Sequence, residues 1–447
     1  MTAERVYIGC GAGFAGDRPD GGRAVVEDLA RKSGPRFMIY ETLAERTLAQ
    51  AQLRRMNGGP GYLPRLDAFL RPVLETCLKS GIRIVSNFGA ADPEGACRRI
   101  AALCAEMGLP QPRMVYVLGD DVMTGAARAA IDTARRETGD LVAANAYIGA
   151  ASVVEALDMG AEIVVTGRVA DPSLALGPLV HSFGWGWQDW DLLAAGTLCG
   201  HMLECGAQVS GGYFADPGLK DVPDLAHLGF PLAEVAEDGS FVITKPSGTG
   251  GCVTLQTVRE QVLYEIDDPA RYLTPDVVLD LTAVHLSEAG PDRVQVSGAR
   301  GWPRPDTLRA MACHRGGWLG EAEISYAGPN ALPRGRLAAG VLETRLRDLG
   351  YARTRVDLIG VNAIADQALP QQALQLPEVR LRLAVAADSA QLAQTALDEV
   401  ESLYLCGPAG GGGVRRSLVE RLTSEPVLIE RDLVRTWAIP YPEVANA

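Results

Sequence analysis

The stretch Arg5-Val-Tyr-Ile-Gly9-Cys-Gly-Ala-Gly13-Phe-Ala-Gly16-Asp17-Arg18 decides the reading of the fold: a short apolar run breaks off into glycines and then into charge. The same event recurs downstream. RFMIY ends in Glu41, IRIVS in Asn87, MVYVLG in Asp120-Asp121, LVAA in Asn145-Ala-Tyr147, and EIVVTG in Arg168, with Asp171 three residues on. Stretches of helical character, 23–31, 66–79, 93–107, 125–138 and 151–159, separate these runs, and 190–208 reads as a long closing helix. Short buried strands alternating with helices predict βαβ units. The expected fold class is therefore α/β, with a doubly wound, mostly parallel sheet in an N-terminal domain spanning 1–215. Ligands of such sheets bind outside the carboxyl ends of the strands, so the six strand ends predict one polar site.

Around 216–240 the pattern lapses into a Pro- and Gly-containing connection (Pro217, Pro223, Pro231). Beyond it, FVITK, LTAVHL, RVQVSG, AEISYAG, RVDLIGV and VRLRLAVAA are strand-like and intersperse with helical stretches. A second α/β or α+β domain over 241–447 is the expectation. With 447 residues, two domains are the natural division.

Composition narrows the function classes. Hydrophobic residues make up 47% and charged residues 22%, as in ordinary globular chains. Forty-two Lys and Arg against 55 Asp and Glu give a formal charge of −13, which argues against nucleic acid or an anionic membrane as partner. Nine cysteines, without paired CxxC spacing, suit free thiols in a reducing compartment. The first strand follows Met-Thr-Ala-Glu directly, which predicts no signal peptide. No apolar run approaches the roughly 18 residues of a membrane span, and the expected localisation is cytoplasmic.

Each motif carries a chemical and a structural reading. Gly11-x-Gly13-x-x-Gly16, followed by Glu41, has the outline of a dinucleotide fingerprint. However, Asp17-Arg-Pro-Asp20 delays the helix and would repel phosphate, so a substrate loop using Gly13, Asp17 and Arg18 is preferred over NAD. In Gly200-His201-Met-Leu-Glu204-Cys205, His201 and Glu204 share a helix face at i and i+3. They suit an acid–base pair, or equally a buried polar face satisfied by hydrogen bonds. No second His or Cys cluster completes a metal site. Arg168 could clamp a carboxylate or brace its loop through Asp171. Two further glycine loops, Lys245–Cys252 with Gly248, Gly250 and Gly251, and Gly407–Arg416 with Gly411 and Gly412, read as helix-start anion sites for phosphates or a coenzyme A arm. Glycines at a domain interface are the competing account. Neither loop is a P-loop, and no GxSxG elbow is present.

The stretches GRVADPSLALGP (167–178) and GHMLECGAQVSGGYF (200–214), with Gly11–Asp20 and Gly407–Val414, resemble the acyclic terpene utilisation protein (AtuA) family over nearly the whole chain. The resemblance implies a catabolic setting with acyl-CoA intermediates and assigns no reaction. Longer members carry a C-terminal ferredoxin-like module, so a small ferredoxin-like partner subunit is expected here if the module is not simply missing.

Together these readings predict a hydro-lyase or isomerase acting by acid–base chemistry on a branched or unsaturated carboxylic acid or its CoA thioester. Asp17, Asp120, His201 and Glu204 would move the proton. Gly13, Arg18, Asn87, Asn145, Arg168 and Asp171 would hold the substrate, and a homo-oligomer is expected. A non-catalytic acyl-CoA-binding subunit is the main alternative, and an NAD(P)-dependent oxidoreductase the weaker one.

Overall fold

The structure, a computed structural model, describes residues 5–137, 139–364 and 376–442. The first half of the chain contains β1 (Arg5–Ala12), α1 (Gly21–Leu29), β2 (Arg36–Tyr40), α2 (Glu45–Met56), α3 (Leu66–Leu70) and α4 (Leu74–Ser80). It continues through β3 (Arg83–Ser86), α5 (Pro93–Glu106), β4 (Met114–Leu118), α6 (Gly125–Ala134), β5 (Leu141–Ala146) and α7 (Ala151–Asp158). Next come β6 (Ile163–Val165), α8 (Ser173–Phe183), α9 (Trp190–Glu204), β7 (Leu232–Ala236), β8 (Phe241–Thr244) and α10 (Leu255–Leu263). The remainder is β9 (Tyr272–Leu273), β10 (Val278–Asp280), β11 (His285–Gly290), β12 (Arg293–Ser297), β13 (Arg300–Trp302) and β14 (Thr307–Ala327). Then follow α11 (Ala331–Asp348), β15 (Thr354–Ile359), β16 (Glu378–Ala387), α12 (Ala390–Cys406), β17 (Gly412–Glu430) and β18 (Trp437–Tyr441).

Two compact units result. The larger takes in the described residues of Met1–Arg136, Val142–Ala312 and Ser424–Ala447, and the smaller those of Glu137–Leu141 and Cys313–Thr423. In the larger unit one sheet runs β11-β12-β8-β7-β1-β2-β3-β6-β4-β18. The central run β1-β2-β3-β6-β4 is parallel. Every other pairing in the sheet is antiparallel. The α/β class holds, while "mostly parallel" gives way to a mixed sheet.

The period of two along each strand separates two cores. Val6, Ile8, Cys10 and Ile39 face the core built with α7, α8 and α9. Met38, Tyr40, Ile84 and Tyr116 face the other, built with α1, α3, α4 and α5. Full burial of side chains of this size stabilises by about 1.5–3 kcal/mol each, which fixes strand register. Val235, Phe241, Ile243, Val294 and Val296 join the first of these cores. That burial explains why β7, β8 and β12 extend the first sheet instead of opening a second domain after 216–240.

Two other expectations change. The run ending in Asn145 is no member of the large sheet: β5 pairs with β14. The helical stretch 66–79 divides into α3 and α4 around Pro72, since proline cannot continue a helix with its missing N–H.

The smaller unit has the order β14-α11-β15-β16-α12-β17, with sheet order β15-β16-β14-β17. β16 pairs antiparallel with both β14 and β15. Leu342, Leu346, Ala396 and Val400 from the helices pack on Leu381 and Leu383 of the sheet. This β-α-β-β-α-β path is the split arrangement of ferredoxin-like folds.

Among the described residues, no helix is long and apolar enough to cross a membrane.

Candidate functional site

Carboxyl ends of the parallel strands open into a cavity of about 890 Å³ lying wholly within the larger unit. Gly13 after β1, Glu41 after β2, and Arg168 and Asp171 after β6 line it, as do Asp17, His201 and Glu204. Of the sequence-based site residues, six converge here: Gly13, Asp17, Arg168, Asp171, His201 and Glu204. The volume is within the range of roughly 300–1,000 Å³ usual for small-molecule sites.

His201 and Glu204 are presented by α9, a helix apolar on nearly every side and buried along most of its length. Gly200 lets α9 lie close to the segment before α8; a Cβ there would sit 2.3 Å from the Pro172 carbonyl oxygen. One turn holds the pair together: His201 Nδ1 lies 2.9 Å from Glu204 Oε1. His201 is 1% and Glu204 9% exposed. His201 Nε2 and Glu204 Oε2 are buried without a hydrogen-bond partner, as are Thr197 Oγ1 on α9 and Gln261 Oε1 on α10. Gln261 Nε2 donates to the His201 carbonyl at 3.0 Å. Burial opposes charging of the imidazole, but the Glu204 hydrogen bond and charge outweigh it and hold its pKa above the usual value.

Glu41 is the second titratable group of the cavity, and its surroundings are fixed. One carboxylate oxygen accepts from Leu43 N at 2.7 Å and from Asn87 Nδ2 at 2.9 Å. Asn87 Oδ1 in turn accepts from Thr42 N at 2.8 Å and from Thr42 Oγ1 at 3.0 Å. Asn87 thus serves Glu41 from behind and does not line the cavity. Burial raises the Glu41 carboxyl above the usual range; Arg168 opposes the rise and the charge of Glu204 adds to it. The sequence reading placed Glu41 at a strand end and in a dinucleotide fingerprint, without a role in proton transfer.

Arg168 lies 1% exposed with its guanidinium spent. Nε and one terminal nitrogen donate to Val169 O at 3.0 and 2.6 Å, the other terminal nitrogen donates to Leu43 O, and Asp171 is its ion-pair partner. Its plane lies over the Tyr147 ring, 4.4 Å from the centroid. The geometry is that of a brace, the competing account from the sequence.

Asp120 and Asn145 sit beneath Arg168 and do not line the cavity. Asp120 Oδ2 accepts from Arg168 N at 2.8 Å and from Asn145 Nδ2 at 2.9 Å. Burial pushes the Asp120 carboxyl up to about 6 from 3.8. Because the folded pKa is the higher one, its contribution to stability is fully present below about pH 4 and declines as pH rises to about 6. Urea denaturation of wild type and Asp120→Asn across pH 3–8 is expected to show a stability difference that shifts in the variant's favour over that window, by about 3 kcal/mol. A pH-independent difference would remove Asp120 as a titrating group.

The glycine loops depart from their expected roles. Asp17 Oδ2 accepts from Gly13 N at 2.9 Å, occupying a loop donor that a pyrophosphate would use. Burial raises the Asp17 carboxyl above its usual range. Gly13 is required by packing, since a Cβ would come 2.3 Å from the Cys205 carbonyl carbon. Arg18 turns away to Ala226 O at 2.7 Å and Leu228 O at 2.9 Å. Ahead of α10, Thr254 and Thr257 already form a capping box, and Lys245 is held by Thr249 O and Asp292. Gly248, Gly250 and Gly251 do not line the cavity. Gly411 and Gly412 belong to the smaller unit and lead into β17, so no helix N-terminus exists there to bind an anion. Cys10 donates to Ala12 O, and burial pushes its thiol far up, which leaves it inert.

Sequence reasoning missed the opposite wall. Tyr147 donates to Glu45 Oε1 at 2.7 Å, and Arg309 lies 3.4 Å from the same oxygen. Burial pushes the Glu45 carboxyl up, but the Tyr147 hydrogen bond and the two arginines bring it below its usual value. Tyr272 stacks obliquely on His201, with centroids 5.8 Å apart. Tyr213 and Glu265, both lining residues, hold left-handed backbone conformations at φ 59° and 58°. Tyr147 was legible as the end of its strand run; Arg309, Tyr272 and Glu265 come from distant segments without a local signature. Among the described residues, no group of three or more His, Cys, Asp or Glu is arranged to hold a metal ion.

Residues 6–438 match the family model described as "Acyclic terpene utilisation family protein AtuA". Comparison with curated proteins finds no match, and comparison with solved structures finds none.

Proposed function

The chain belongs to the acyclic terpene utilisation (AtuA) family, and on that premise we propose that it is an acid–base enzyme of acyclic terpene catabolism. The reading rests on one observation above all: the buried His201–Glu204 pair, with an unpartnered imidazole nitrogen, lines the strand-end cavity together with Glu41. With the proton of neutral His201 on Nδ1 and directed to Glu204, Nε2 carries the lone pair and serves as base. Glu41, which burial favours in its protonated form, serves as the acid. Removal of a proton by one and delivery by the other suits hydration, dehydration or double-bond migration. In hydration, His201 takes a proton from water, the water oxygen bonds to an alkene carbon, and Glu41 protonates the neighbouring carbon.

Incubation with acyclic terpene alcohols, aldehydes and acids in D2O tests this reading. Deuterium is expected to appear on carbon in recovered substrate or product, read by mass spectrometry. Neither exchange nor turnover with any of them would overturn it.

A further inference from the structure

We propose that this cavity selects an uncharged, oxygen-bearing acyclic molecule, an alcohol or aldehyde, and turns away carboxylates and CoA thioesters. The inference rests on the acid–base reading of the same cavity and departs from the substrate expected from the sequence. Charge on the lining carries it. Besides the protonated Glu41, five carboxyl groups line the cavity, Asp17, Glu45, Asp171, Glu204 and Glu265, against two guanidiniums, Arg168 and Arg309.

Arg168 is committed to Asp171 and two carbonyls, and the half-exposed Arg309 lies 3.4 Å from Glu45, so each guanidinium already faces a carboxylate. Both also lie over the same Tyr147 ring, at 4.4 and 5.3 Å from its centroid. Two cations of the sequence-based loops are held elsewhere: Arg18, expected to hold substrate, by the Ala226 and Leu228 carbonyls, and Lys245, in a loop expected to serve phosphates, by Thr249 and Asp292. A ligand carboxylate or the phosphates of coenzyme A would thus meet like charge in a partly desolvated space, where such repulsion is weakly screened.

An alcohol or aldehyde oxygen fits the same wall. The unpartnered His201 Nε2 and Glu204 Oε2 offer acceptors to a hydroxyl, and a buried polar atom without a partner calls for one. A protonated Glu41 donates to a carbonyl oxygen or hydroxyl. Phe14, Leu43, Leu273, Leu308 and Leu428 supply an apolar surface for a hydrocarbon chain.

The test is titration calorimetry of the full chain with an acyclic ten-carbon terpene alcohol, its aldehyde, its acid and the acid's CoA thioester, at low and at 0.5 M salt (roughly a 4 Å screening length at the latter). The alcohol or aldehyde is expected to bind at least tenfold more tightly than the acid and the thioester, about one factor of ten being a 1.4 kcal/mol difference. That gap should narrow at high salt, and in Glu265→Gln. Acid or thioester binding as tight as the alcohol's overturns the proposal, as does failure of both the alcohol and the aldehyde to bind. Binding is read without turnover, which keeps the two readings separable. A bound alcohol that is neither converted nor exchanged would sink the acid–base reading alone. A tightly bound thioester that exchanges deuterium would sink only the present inference.

Discussion

His201→Ala is expected to lower turnover by about 10²–10⁴-fold, the usual contribution of a positioned acid–base group, while ligand affinity changes by only a few-fold. The companion Glu204→Gln variant separates chemistry from packing. In the wild type the carboxylate holds the imidazole pKa above its ordinary 6.5 despite burial. Removing that charge lets burial prevail, so the imidazole should deprotonate at lower pH. Activity that requires the neutral base rises as pH climbs through this pKa. The acidic limb of kcat/KM against pH should accordingly lie above pH 6.5 in the wild type and move down in Glu204→Gln. A merely structural pair would change the melting temperature without moving that limb. His201→Ala with activity within threefold of wild type would end the proposal for this residue.

The strand-end logic explains which parts of this site were legible. In a parallel sheet the residue after each strand is fixed in place by the strand's own burial, so Gly13, Glu41, Asn87, Asp120 and Arg168 could be located from apolar runs alone. All five do sit at the carboxyl edge of the central strands. What local pattern could not supply was the direction of each side chain. Asn87 and Asp120 look inward to Glu41 and to the Arg168 backbone, because unpaired buried polar groups cost more than a cavity-facing position returns. The continuation of the sheet beyond 216–240 was illegible for a related reason. An antiparallel strand that extends a sheet has the same alternation as one that opens a new sheet, and only the packing of Val235, Ile243 and Val294 on the β1 core distinguishes them. The ferredoxin-like path of the smaller unit was present as strands and helices in the sequence, but its closure depends on the β14–β17 pairing across about a hundred residues, a contact that no local pattern records.

Arg168→Ala is expected to destabilise the fold by about 3–5 kcal/mol, the combined cost of stripping two buried carbonyls of their donor and of removing the buried member of a half-buried ion pair. A substrate clamp, the role in which the sequence reading cast Arg168, would instead lose ligand binding with folding largely intact. Geometry reverses that order. Deletion of the guanidinium strips the Leu43 and Val169 carbonyls of their donors, leaves Asp171 without its partner, and withdraws the positive charge that opposes protonation of Glu41. It also removes the cation from the face of Tyr147, whose hydroxyl anchors Glu45. Arg168→Lys restores the charge but not the planar fork that reaches three acceptors in different directions, so it should recover only part of the loss. Urea denaturation of the three proteins measures this directly, with the midpoint falling in the order wild type, Lys, Ala. Wild-type stability in the Ala variant, together with abolished ligand binding, would return Arg168 to the role of a clamp. It would also supply the free cation whose commitment to Asp171 underlies the exclusion of anionic substrates, so one denaturation series bears on both the brace and the selectivity of the cavity.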